Sequence, residues 1–110
     1  MDKMAKTFKF EVITPERVIY TDSVLGIIAD GTEGSLGILA DHAPLITGLK
    51  RGYLTVNEVN NKALRFILDG GFLEVLNNTA VVLTERCVTE SEVERARANN
   101  ENIESYAWVP

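Results

Sequence analysis

The stretch Gly31–Leu49, GTEGSLGILADHAPLITGL, spaces Gly31, Gly34 and Gly37 three residues apart and sets His42 and Pro44 beyond them, all within apolar sequence. Glycines so spaced invite comparison with a phosphate-binding loop. Such a loop needs a strand before it and a helix after it, so that amides at the helix start face the anion. Here the strand-like Leu36-Gly37-Ile38-Leu39 follows instead, and no Gly-Lys-Ser/Thr ending is present. The three glycines are therefore read as turn or bulge residues. Pro44 fixes its own φ and removes a backbone donor, which marks a change of direction into the next strand.

On both sides of this stretch, from Phe8 to Glu85, short segments rich in Val, Ile, Leu, Phe and Tyr alternate with turn residues, the pattern of an all-β domain. In Phe8-Lys9-Phe10-Glu11-Val12 the apolar side chains share one face and the charges the other, as in a half-buried strand. Asn60-Asn61, Asp69-Gly70-Gly71 and Asn77-Asn78 recur at hairpin-like intervals, and these residue types tolerate the positive φ of tight turns. Three successive hairpins are expected, with Tyr53, Phe66, Phe72 and Leu73 mostly filling the core. A surface subset of these side chains would form a partner patch.

At Thr89 the pattern changes. Thr89-Glu90-Ser91-Glu92 has the spacing of a capping box, and Glu90 and Glu92 suit the positive end of a helix dipole. Val93, Ala96, Asn100, Ile103 and Ala107 then lie on one stripe at helical spacing. Asn99-Asn100 lowers the propensity in the middle, so the helix is expected to be short or frayed unless it packs on the sheet. The organisation expected is a β-domain over residues 1–87 and a short helical tail over 88–110.

Composition excludes several classes of function. Sixteen acidic against eleven basic residues give a net charge of −5, which disfavours nucleic acid and anionic lipid. Lys50-Arg51 is the only adjacent basic pair, so there is no basic stripe. The single cysteine, Cys87, cannot form an intrachain disulfide, which points to a cytoplasmic-type environment. No apolar run approaches the roughly 18 residues that span a bilayer, and Met1-Asp2-Lys3-Met4-Ala5-Lys6 has no signal-peptide core. Membrane association, if any, is expected through partners and not by direct insertion.

Asp41-His42 could be imagined as an acid–base dyad, since imidazole titrates near neutrality and a carboxylate can orient it. Neighbours in sequence rarely form such dyads. No Gly-x-Ser-x-Gly elbow, second histidine or zinc-like spacing around His42 or Cys87 supports chemistry. A histidine bonded locally before Pro44, or one facing a partner, fits better. A small hydrolase and a free-standing β-sandwich module that binds a ligand or peptide are the rival functional readings.

The order of segments carries a resemblance. FKFEVITPERVIYTDSV precedes the glycine stretch; LKRGYLTV and FILDGGFLEVLNNTAVVLTE follow it. Together they resemble the epsilon subunit of F-type ATP synthases over nearly the whole chain. The resemblance implies a mainly β fold, an antiparallel β-sandwich with a short C-terminal helix. It implies a non-catalytic rotor subunit without cofactor or metal, coupling the gamma subunit to the membrane c-ring, with transient contact to alpha and beta. It further implies a peripheral protein at the cytoplasmic face of a bacterial inner membrane or its organellar equivalent. Thr14 and His42 match positions at the gamma interface. The loop before Leu36-Gly37-Ile38 matches the c-ring contact, where the family usually carries a carboxylate; here that position is Ser35, and Glu33 could supply the charge.

Some relatives bind ATP through Ile/Leu-Asp-x-x-Arg-Ala on the first helix, which Val93-Glu94-Arg95-Ala96-Arg97-Ala98 resembles loosely, with Glu94 for the aspartate and Arg97 for the arginine. Nothing after Arg97 is basic, so weak or absent nucleotide binding is expected. The family ends in two antiparallel helices, which need roughly 25–30 residues. Thr89–Pro110 has no room for the second, so reduced or absent inhibition of ATP hydrolysis is expected.

Overall fold

Alternation in the first strand decides what is inside. The computed structural model describes residues 6–110; Met1–Ala5, in the segment read above as lacking a signal-peptide core, lie outside the described residues. In β1 (Phe8–Ile13) the side chains of Phe8, Phe10 and Val12 are buried while Lys9 is exposed. The strands β2 (Val18–Gly31), β3 (Gly34–Leu39), β4 (Leu45–Glu58), β5 (Ala63–Leu76), β6 (Thr79–Leu83) and β7 (Cys87–Thr89) follow, then the helix α1 (Glu90–Ala98) and a 3-10 turn at Ile103–Tyr106.

The strands β2, β4 and β5 have 14 residues each, and each bends to serve two sheets. The first sheet runs from the start of β2 through β1, β6 and the end of β5 to the start of β4. The second runs from β3 through the later halves of β2 and β4 and the start of β5 to β7. All pairings are antiparallel except β1 with β6. Facing inner surfaces contribute Phe10, Val12, Leu54, Val56, Phe66, Leu73 and Val82 to one core. Each fully buried side chain of this kind stabilises the fold by about 1.5–3 kcal/mol. Tyr20 lies between Phe10 and Phe66, with ring centroids 6.1 and 5.6 Å away, and donates its hydroxyl to Glu58 at 2.8 Å. Burial, then Glu58, holds this hydroxyl protonated well above the usual tyrosine range, so it remains a donor.

The Asn pairs behave as read. Asn77 and Asn78 both have positive φ, 52° and 57°, and close a two-residue hairpin between Leu76 and Thr79; Asn61 turns β4 into β5 at φ 64°. Asp69-Gly70-Gly71 does not form a hairpin. It lies inside β5, at the corner where that strand passes from the second sheet to the first. The β4–β5 ladder pairs Leu49 with Gly71 and Arg51 with Asp69, omitting Lys50 and Gly70 between them. A corner needs the same positive φ as a turn, and the sequence signal is therefore the same.

Two further expectations change. Phe66 and Leu73 are buried, but Phe72 is 61 % exposed, because Leu73 takes the inward direction at that point of β5. Tyr53 is half-buried outside the main core, on the second sheet's outer surface, where the Arg65 guanidinium sits 3.9 Å above its ring. Thr89 caps α1 in a full capping box with Glu92, as its spacing implies. The helix is short, as Asn99-Asn100 implies, stopping at Ala98, but of the five-residue stripe only Val93 and Ala96 are buried. Asn100 and Asn102 adopt left-handed φ and turn the chain back, so that Val109, Tyr106 and Trp108 pack with Val93 on Ile67 of the second sheet. Asn100, Ile103 and Ala107 face solvent.

The corner makes a sharp stability prediction. Gly71 has φ +132°, and a Cβ there would collide with the carbonyl oxygen of Leu83 in β6. Gly34 has a similar φ, +126°, with nothing near its missing Cβ. Gly71→Ala is expected to lower stability by about 3 kcal/mol or more, and Gly34→Ala by about 1–2 kcal/mol, the cost of the backbone conformation alone. Urea unfolding of both variants measures this, and equal losses would show that the contact with β6 does not matter.

Candidate functional site

Cross-strand pairing places residues on the outer face of the first sheet in rows. Gly48, Phe72, Leu83 and Ile13 are direct neighbours across β4, β5, β6 and β1. The next row is Ile46, Glu74, Val81 and Glu11, and the third is Leu76, Thr79 and Lys9. Exposure there is high for large apolar side chains: Ile46 72 %, Phe72 61 %, Leu83 51 % and Leu76 48 %. Contiguous apolar exposure of this kind on a soluble domain marks an interaction surface. The second sheet's outer face exposes Ile28 and Leu39, while its Ile67 side is covered by α1 and the returning tail.

The apolar row ends at the sandwich corner. There Asp69 accepts hydrogen bonds from Arg86 Nη2 at 2.7 Å and Arg51 Nε at 2.9 Å. The Arg86 hydrogen bonds, then Arg51, hold the Asp69 carboxyl below its usual range against the opposing effect of partial burial. Arg86 also lies 4.8 Å from the Trp108 ring, which ties the tail to the corner. Two open clefts flank the β1–β2 turn. One, of about 370 Å³, is walled by Ile13, Pro15, Phe72 and Leu83; the other, of about 300 Å³, lies between that turn, Cys87 and Trp108. Burial and then Glu92 push the Cys87 thiol up to about 12, so it is an unreactive wall.

Thr14 and His42 fall at opposite ends of the first sheet. Thr14 follows β1, is buried, and donates its hydroxyl to the Arg17 carbonyl at 3.2 Å; it borders both clefts. His42 lies between β3 and β4 and is exposed, with Nδ1 2.7 Å from the Ala43 carbonyl. Asp41 makes no dyad with it and pairs with Lys6 at 3.1 Å. The outer face of the first sheet connects these two ends. Glu33 and Ser35 are exposed on and beside the β2–β3 turn, which is tied to β4 by the Thr32 amide on the Gly48 carbonyl. The neighbouring Asp30 is engaged, accepting from the Tyr53 amide at 2.9 Å. Gly31 ends β2, Gly34 begins β3, and Gly37 lies within it, so no helix follows to cradle phosphate. Glu94 and Arg97 are exposed on α1 and border neither cleft.

Sequence reasoning missed Ile46, Leu76 and Leu83, and left open whether Phe72 belonged to the core or to a surface patch. A signal was present: Phe72-Leu73-Glu74-Val75-Leu76 and Ala80-Val81-Val82-Leu83 are apolar at both parities, as strands covered on both faces are.

A depressed acid group stabilises the fold fully above the ordinary carboxylate range and loses that contribution as pH falls through its folded value. Asp69→Asn is therefore expected to be less stable than wild type at neutral pH, with the difference shrinking below about pH 4. Urea midpoints at stepped pH measure this, and a difference unchanged at about pH 2 would show that the Asp69 ion pairs are not its source.

Residues 7–90 match the family described as ATP synthase, delta/epsilon chain, β-sandwich domain. The chain is 40 % identical over 103 residues to the ATP synthase epsilon chain of Desulforamulus reducens, covering 92 % of this chain and 77 % of that one. It is 41 % identical over 105 residues to the epsilon chain of Syntrophomonas wolfei, covering 94 % and 77 %. Its fold is also that of a chain in the cryo-EM structure of the Euglena gracilis mitochondrial ATP synthase comprising OSCP, F1 and the c-ring, with TM-score 0.74 and 21 % identity over 93 % of this chain and 71 % of that one. With its two-sheet fold and its family match over most of its length, the chain belongs to the ATP synthase delta/epsilon family.

Proposed function

We propose that the chain is the epsilon subunit of an F-type ATP synthase rotor, seated on gamma through the outer face of the first sheet and coupling it to the c-ring, and that it performs no chemistry itself. The observation that carries this reading is the apolar row Phe72, Leu83 and Ile13, extended by Ile46 and Leu76, on a face that nothing in the chain covers among the described residues. Torque transmission needs a stiff body with separate contact surfaces. A sandwich sharing three bent strands between its sheets supplies the stiffness, and its end loops supply the contacts. The family match and the relatives named epsilon chain support the rotor role.

In this reading Thr14 and His42 bracket the gamma interface from the two ends of the first sheet. Glu33, with Ser35 beside it, gives the β2–β3 turn its contact with the c-ring; any contact with alpha and beta is transient. Membrane association comes from the complex, since no helix among the described residues is long and apolar enough to cross a bilayer. The complex is membrane-associated, and the proposed side is the cytoplasmic face of a bacterial membrane or its organellar equivalent. Inhibitory reach is reduced because, after Ala98, the chain turns back onto the second sheet and buries Val109 there. Regulatory nucleotide binding at Glu94 and Arg97 is weak or absent, as both are open to solvent and line neither of the two clefts.

Co-purification with the gamma subunit from the same source tests the reading. A stable one-to-one complex is expected, weakened at least about tenfold by Ile46→Asp and unchanged by Ile28→Asp on the other sheet. A folded wild-type chain that fails to bind gamma would favour a free-standing ligand- or peptide-binding module.

A further inference from the structure

The 370 Å³ cleft at the end of the apolar row has a chemistry of its own. Its walls are Ile13, Pro15, Phe72 and Leu83, yet it also borders two threonines and two carboxylates. The threonine hydroxyls are already committed: Thr14 donates to the Arg17 carbonyl, and Thr84 donates to the Gly70 carbonyl at 2.6 Å. Asp69 is held by Arg51 and Arg86. A small-molecule site needs a few convergent, available polar groups, and these are spent within the protein. What remains is an apolar socket with one acidic rim, Glu85, which is exposed and has no ion-pair partner among the described residues.

We infer that this cleft is the anchor socket of the partner interface: it takes one large apolar side chain of the partner, whose neighbouring lysine or arginine meets Glu85. The inference rests on the proposed seating on gamma and names where that seating is held and by what chemistry. Two observations favour such an occupant. The cleft is continuous with the exposed row of the first sheet, so a segment lying across Phe72 and Leu83 reaches it without leaving the face. Among the described residues lining it, the one uncommitted charge is the negative Glu85, which selects a basic neighbour to the anchor and disfavours an acidic one. Buried, well-packed anchors of this kind dominate interfaces, while rim charges act on association rate and respond to salt.

Equilibrium binding to purified gamma at about 50 and 300 mM salt tests the inference, with the higher salt screening rim charges. Leu83→Asp is expected to weaken binding at least about tenfold at both salt concentrations. Glu85→Lys, an exposed substitution that spares the core, is expected to weaken it about fivefold or more at low salt, with the loss shrinking at high salt. Glu101→Lys, an equal charge change on the exposed tail, is expected to bind as wild type does. If Ile46→Asp weakens binding while Leu83→Asp and Glu85→Lys bind within about twofold of wild type, the interface stands and the socket falls. If folded wild type does not bind gamma at all, the rotor reading fails and the socket fails with it.

Discussion

The close passage of β5 against β6 at Gly71 is the constraint on which the rest of this structure depends. Gly71 has no room for a side chain because the Leu83 carbonyl occupies that space. With glycine there, β5 turns from one sheet into the other while keeping its pairing with β4 on both sides of the corner. Two layers thus share strands, and the core fills from both. The same bend sets Leu73 inward and Phe72 outward, so the strand that closes the core also builds the exposed face.

Electrostatics reinforce the corner. Asp69 gathers Arg51 from β4 and Arg86 from the segment before β7, and Arg86 carries the tail through Trp108. An isolated exposed ion pair such as Lys6–Asp41 contributes little. Asp69 differs because one largely shielded carboxylate joins three parts of the chain beside the proposed interface. Packing, charge and contact surface therefore meet at one end of the sandwich.

Much of the fold was legible because alternation and turn chemistry are local. Phe8-Lys9-Phe10-Glu11-Val12 declared its buried face, Asn77-Asn78 its hairpin, and Thr89-Glu92 its helix cap. Asp69-Gly70-Gly71 was misread because a corner within a strand and a hairpin turn demand the same backbone angles; only long-range pairing separates them. The helix stripe beyond Ala98 failed for the reason its own composition carries, since Asn100 and Asn102 accept the left-handed φ that ends a helix. The candidate site was less legible. Thr14 and His42 came from resemblance, whereas the face between them arises from pairing β4, β5 and β6 with β1, which is distant from them in sequence.

In the proposed assembly the rotor partner sits on the outer face of the first sheet. Carbene footprinting of side chains, read by mass spectrometry with and without bound gamma, tests it most directly. Labelling of Ile46, Phe72 and Leu83 is expected to drop in the complex while labelling of Ile28 and Leu39 stays the same. Loss of labelling at Ile28 and Leu39 with the first sheet still open would contradict it.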